Sequence, residues 1–291
     1  MTKYKNILIL YILILFEILI IINSRIIVSN IIITSNVFIT KIFPSLFPNM
    51  IIGSMITKCN LTLIIPKKIK ILFKKLFNFD ENETIVYITS MICGTPSNAI
   101  FINNYLEKGL ITEENAEYLL YITGFINPLF IIYTIGISIF NNIKIGILIL
   151  LLLYLSSIIK AFLLRKHFIN DKNIDKKITN INYYNELIST INKSISSCLL
   201  VFGIIILFSI LISLINEIFN LSPFLSFTIN SILEVTSGIN LLNTLNISNI
   251  LKFSLSYLIL SFNGISIHMQ TLTMFNKKKI SYLKYLIFKL L

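Results

Sequence analysis

Two short polar stretches interrupt apolar runs in this chain: Gly94-Thr95-Pro96-Ser97-Asn98, and Glu234-Val235-Thr236-Ser237-Gly238. Glycine and proline weaken a helix, and the helix that restarts beyond such a break presents backbone amides without intrahelical partners, together with a partial positive charge. That suits a carboxylate or another small anion. Thr95, Ser97, Asn98, Thr236 and Ser237 add neutral hydrogen-bonding groups. Each break is followed by an apolar helix with a second step, Phe125-Ile126-Asn127-Pro128 in one case and Phe262-Asn263-Gly264 in the other. Asn127 and Asn263 are costly in hydrocarbon, so each is expected to face protein or a cavity, as a cap or as a solute contact. Glu234, an acid at membrane depth, is a candidate for a coupling proton or cation; a shallower position would bring it to interfacial water instead. Glycine, serine and threonine also line ordinary helix contacts in membranes, so packing is the alternative for Gly94 and Gly238.

Composition sets the medium in which such breaks must sit. Of the 291 residues, 55% are hydrophobic and only 13% charged. Apolar runs recur near the ~20 residues a bilayer-spanning helix needs. The class is an all-α polytopic membrane protein, because lipid tolerates only structures that satisfy their own backbone hydrogen bonds and no period-two barrel pattern is visible. The formal charge of +12 is read as the basic bias of cytoplasmic loops, and no aromatic-studded basic module points to nucleic acid.

Catalytic chemistry is not indicated. Cys59, Cys93 and Cys198 form no CxxC pattern, and His167 and His268 are too few for a zinc site. Nucleophile elbow, phosphate-cradling loop and HExxH motif are all missing from the sequence. We expect no catalytic residues, no metal and no cofactor.

The elements that must position the breaks follow from length and charge. Residues 6–22 read as an uncleaved first span within an N-terminal anchor, 1–24. Glu17 on that span is expected in lateral packing. The segment from Arg25 to Lys41 reads as an interfacial amphipathic piece, followed by a span over about Phe43–Thr57 whose prolines sit near its start. "PKKIKILFKKLF" reads as a lipid-surface helix. From Thr84 to Ile92 the chain rises at ~1.5 Å per residue and reaches roughly half of a ~30 Å core. Ala99 to Leu106 then returns it, which makes a re-entrant hairpin. With that hairpin, and a second over Leu221–Asn246, the regions Lys3–Lys5, Lys67–Lys75, the linker after Leu163 and Lys277–Lys279 all fall on one side, as the positive-inside bias favours. A full crossing at 84–106 would put the linker outside. The chain thus divides into the anchor, a first half over 25–142, a connecting span with a basic cytoplasmic linker over 143–193, and a second half over 194–291. Two halves with one plan and opposite entry sides make an inverted repeat, the pattern that marks a transporter site near the membrane midplane. His268 is expected in packing, and Gln270 near the cavity.

In order along the chain, "FPSLFPNMIIGSM", "GTPSNAIFINNYLEKGLITEENAEYLLYITGFINPLF", "LEVTSGINLL" and "SFNGISIHMQ" resemble the YlbJ-type sporulation integral membrane proteins, over about residues 40–290. That family belongs to the nucleoside-recognition, or Gate, group and is similar in architecture to concentrative nucleoside transporters. Against the family's Gly-Tyr-Pro and Gly-Gly, this chain has Gly94-Thr95-Pro96 and Asn263-Gly264. The resemblance implies a protein of the outer forespore membrane that moves dipicolinic acid during sporulation, with the lipid bilayer and a small-molecule anion as partners and a homo-oligomer allowed. A ring-bearing dicarboxylate would add stacking on nearby Phe or Tyr. Alternatives at this stage are a transporter of a nucleoside-like solute, a non-transporting sporulation membrane assembly protein, and, least supported, a membrane enzyme acting on lipid or cell-wall precursors.

Overall fold

The computed structural model describes residues 2–59, 65–168, 182–275 and 280–290. Every regular element among them is helical. Five helices are long and apolar enough to cross a membrane. The linker residues 169–181 and the Lys277–Lys279 cluster lie outside the described residues, so their expected sidedness is untouched by the coordinates.

Helix α1 (Thr2–Ile22) is apolar on all sides and largely exposed, with Glu17 on an exposed position. At Asn23 the chain turns, the Asn23 amide returning to the Leu19 carbonyl at 2.9 Å. Helices α2 (Ser24–Val37) and α3 (Phe43–Lys58) then form one continuous rod of 35 residues, joined by a π-helical turn at Phe38–Ile42. This differs from the interfacial piece and separate span expected from the sequence. The π turn directly precedes Pro44 and gives slack where a proline ring would otherwise press on the preceding turn, so the helix runs through Pro44 and Pro48. The polar residues of α2 face a neighbour rather than lipid headgroups: Asn30 donates to Ser213 Oγ at 2.8 Å, and Thr34 and Ser209 share a hydroxyl contact at 2.8 Å. Both partners lie on α10 (Tyr183–Phe219), a helix of 37 residues. At the far end Lys58 pairs with Glu186 at 3.1 Å and reaches Ser189 at 2.8 Å. Rising numbers on one rod match falling numbers on the other, so the two run antiparallel.

Between the two rods in chain order come α4 (Lys67–Phe77), α5 (Glu81–Cys93), α6 (Ser97–Glu107), α7 (Glu113–Ile122), α8 (Pro128–Phe130, continued by a π turn over Ile131–Ile137) and α9 (Ile143–Leu164). Helix α4 is strongly amphipathic, tied down by Lys70–Glu81 and Lys74–Asp80 pairs at 3.1 and 2.7 Å and by Phe73 and Phe77 against Tyr87. A capping box of Asp80 and Glu83 starts α5, and buried Glu83 also holds Asn115 of α7 at 2.9 Å. Helices α5 and α6 pack against each other on either side of the first break. The turn after α8 lies so close to α9 that a side chain on Gly136 would meet the Gly146 Cα at 3.1 Å, a small-residue contact of the membrane kind.

The remaining helices follow α10. Helices α11 (Pro223–Leu233) and α12 (Val235–Thr244) pack together on either side of Glu234, followed by α13 (Asn249–Phe262), α14 (Gly264–Thr273) and α15 (Tyr282–Leu290). One apolar core surrounds Tyr87, Phe101, Leu119 and Leu120, and a second surrounds Ile131, Ile149, Val235 and Leu260. The site sits where the two meet.

Candidate functional site

Gly94 ends α5 with φ of 76°, a conformation other residues enter only at a cost, and a Cβ there would strike the Asn127 backbone at 2.6 Å. The break therefore lies flat against the later step of its own half. Thr95 N–H donates to the Phe125 carbonyl at 2.6 Å, and the Asn98 amide donates to Thr123 Oγ1 at 3.0 Å. Asn127 fastens three elements: its amide donates to the Ser45 carbonyl of α3 at 2.9 Å and to the Cys93 carbonyl of α5 at 3.2 Å, while its Oδ1 accepts from Leu129 N–H at 2.9 Å and caps α8.

At the second break, close backbone approach again sets the geometry. A Cβ on Gly238 would fall 2.5 Å from the Ser231 Cα, so α11 and α12 approach as closely as backbones allow. At Gly264, where φ is 59°, a Cβ would meet the Val235 backbone nitrogen at 3.3 Å, which again sets the break against the later step. Asn263, in the left-handed region at φ of 72°, donates across the molecule to the Gly124 carbonyl at 2.8 Å. Glu234 is buried and turns back on its own helix: its carboxylate accepts from Thr236 N–H at 3.0 Å, from Ser237 N–H at 2.7 Å and from the Thr236 hydroxyl. This changes the chemistry read from the sequence. The α12 amides that a solute carboxylate would use are already taken by Glu234.

Both breaks open on one cavity of about 60 Å³. Its polar groups come from Ser45, Thr95, Asn127, Glu234, Thr236 and Gln270, and Phe130 supplies the aromatic wall. Of the residues singled out by sequence, Thr95, Pro96, Asn127, Glu234 and Thr236 line the cavity, whereas Gly94, Ser97, Asn98, Ser237, Gly238 and Asn263 stand behind it and hold its walls. Four side-chain atoms in these motifs, Thr95 Oγ1, Ser97 Oγ, Asn98 Oδ1 and Asn263 Oδ1, are buried without a hydrogen-bond partner among the described residues. Gln270 reaches the cavity, while His268 is packed between Phe262, Tyr282 and Tyr285 with Nε2 2.7 Å from the Phe262 carbonyl. His167 stacks on Tyr118. No three His, Cys, Asp or Glu side chains converge among the described residues.

Sequence reasoning missed two contributions. Ser45 enters through a backbone carbonyl, which no residue type advertises. Lys160 and Lys289 line a second, smaller hollow beside the first, on the other side of Gly124–Ile126. Here a signal existed, since Lys160 interrupts the apolar run "LLLYLSSIIKAFLL".

The chain is 22% identical over 289 residues to the sporulation integral membrane protein YlbJ of Bacillus subtilis (strain 168), covering 86% of this chain and 71% of that protein. That similarity supports a YlbJ-type assignment. No family model matches the chain, and no solved structure does either. With the five spanning-length helices among the described residues, this similarity makes the chain an integral membrane protein.

Proposed function

We propose that this chain is a non-enzymatic secondary transporter that carries a small anionic aromatic solute, dipicolinic acid, across the outer forespore membrane. The observation that carries this reading is the meeting of two broken helix pairs, one from each half, at a single cavity whose largely apolar wall carries polar groups from both breaks. In each half the break packs on the later step of the same half, Gly94 on Asn127 and Val235 on Gly264, which supports an internal repeat. In the bilayer the α5–α6 and α11–α12 pairs enter as re-entrant hairpins from opposite sides, an inverted repeat of the Gate type.

Glu234 gives the transport cycle its sign. A carboxylate facing the cavity repels a dianion, so the solute enters with a proton on Glu234 or with a cation beside it. The small volume in this conformation means that the two helix pairs part to admit cargo and close behind it. Two observations favour other readings. A neutral nucleoside-like solute meets no repulsion from Glu234, and tight closure suits an assembly protein whose breaks serve packing.

Dipicolinate content of spores decides among them, measured in a strain lacking the gene and complemented with wild type or with Thr95→Val at equal protein level. The Thr95 hydroxyl has no partner among the described residues, so its loss spares the fold while removing a polar group from the cavity. Depleted spores, solute retained in the mother cell and poor rescue by Thr95→Val are expected. Normal spore dipicolinate without the gene would retire this cargo. Depletion with full rescue by Thr95→Val would favour the assembly reading.

A further inference from the structure

The hollow beside the break cavity has a composition the transport reading does not use. It measures about 30 Å³ and is lined by two lysines, Lys160 from α9 and Lys289 from α15, with Ser156, Ser157 and Ser261 beside them and no acidic residue in its wall among the described residues. Lys289 is only 3% exposed. Its ammonium occupies the space that a side chain at Gly124 would fill, so glycine there is what admits it. The Tyr285 ring lies 5.5 Å from the Lys289 nitrogen, and neither lysine has a carboxylate partner among the described residues. The hydroxyl of Tyr121, another wall residue, is engaged by Glu117. When both lysines carry their protons in this one small hollow they repel each other, and an aromatic face alone compensates them poorly. An anionic group between them resolves both problems at once.

We propose that Lys160 and Lys289 form an oxyanion site that takes the carboxylate or phosphate group of a larger molecule. The hollow holds only the charged group, and half-buried Lys160 marks the side by which it enters. The site is separate from the break cavity, with Ile126 shared between the two walls, and it stands whether or not that cavity carries solute. A carboxylate would come from a free solute and a phosphate from either inorganic phosphate or a lipid headgroup.

Thermal unfolding of the full chain in lipid nanodiscs tests the site at constant ionic strength. In phosphatidylcholine discs the probes are dipicolinate and inorganic phosphate; in a second arm phosphatidylglycerol replaces part of the phosphatidylcholine with neither probe present. Stabilisation by the free anions identifies a solute site, and stabilisation by phosphatidylglycerol alone identifies a headgroup site. In whichever arm responds, Lys160→Gln is expected to weaken the effect at least about tenfold in apparent affinity, the factor set by one lost charge-assisted hydrogen bond, whereas Lys160→Arg retains it. No stabilisation of the wild type in any arm overturns the proposal, as does an unchanged response in both Lys160→Gln and Lys289→Gln.

Discussion

Glu234 is the residue on which structure and chemistry converge. It ends α11, caps α12 and faces the cavity, so its substitutions separate these duties. Glu234→Ala strips the carboxylate from two backbone amides and should cost about 1–3 kcal/mol in denaturant unfolding of the detergent-solubilised protein. Glu234→Gln keeps an acceptor oxygen and should lose less than half of that. If the residue carries a coupling proton, the Gln variant moves solute in vesicles at a rate that no longer follows a pH gradient, while wild type does. A second residue-scale test concerns Gly94. Gly94→Ala forces a side chain into a left-handed conformation and onto the Asn127 backbone, and a loss of folded protein in size-exclusion profiles is expected, with no gain from neighbouring conservative changes.

At the scale of elements, the breaks are held as much by their backing as by their own residues. Asn127→Ala removes donors to α3 and α5 and the cap of α8 together, and should destabilise by about 2–4 kcal/mol. Asn127→Asp keeps the cap but sets a buried carboxylate oxygen against the Ser45 and Cys93 carbonyls, so its midpoint should fall at least as far as that of the alanine variant. On the rods, Asn30→Ala and Thr34→Ala should each cost only about 0.6 kcal/mol, as interhelical hydrogen bonds in membranes do. The positions of the breaks were legible in the sequence because Gly94, Pro96, Glu234 and Gly238 are local offences against an apolar helix. The partners were not. Asn30 meets Ser213 and Asn263 meets Gly124 across long stretches of chain, and periodicity carries no information about which remote helix a polar residue will face. The same limit explains why Thr236 and Ser237 looked free to bind solute: a glutamate one turn earlier in the chain signals a cap only once the helix start is fixed at Val235.

For the whole molecule, the all-helical membrane class followed from hydropathy, whereas the 35-residue rod over Ser24–Lys58 did not, and sidedness rests on the distribution of Lys and Arg. In a background without Cys59, Cys93 and Cys198, single cysteines at Lys68 and Asn173 should both react with an impermeant thiol reagent from the cytoplasmic face. Labelling of the two from opposite faces would mean that residues 84–106 cross completely. One consequence follows from the length of α10. Its 37 residues extend for about 55 Å, whereas the hydrocarbon slab is about 30 Å thick. A bilayer centred on the apolar stretch of α10 leaves the surplus at the end bearing Tyr183, Asn185, Glu186, Ser189 and Asn192, a stiff shaft braced by Lys58. Lower down, Val201 and Ile205 of the same shaft form part of the cavity wall. Torque applied at the protruding end is therefore delivered to the cavity without passing through any hinge.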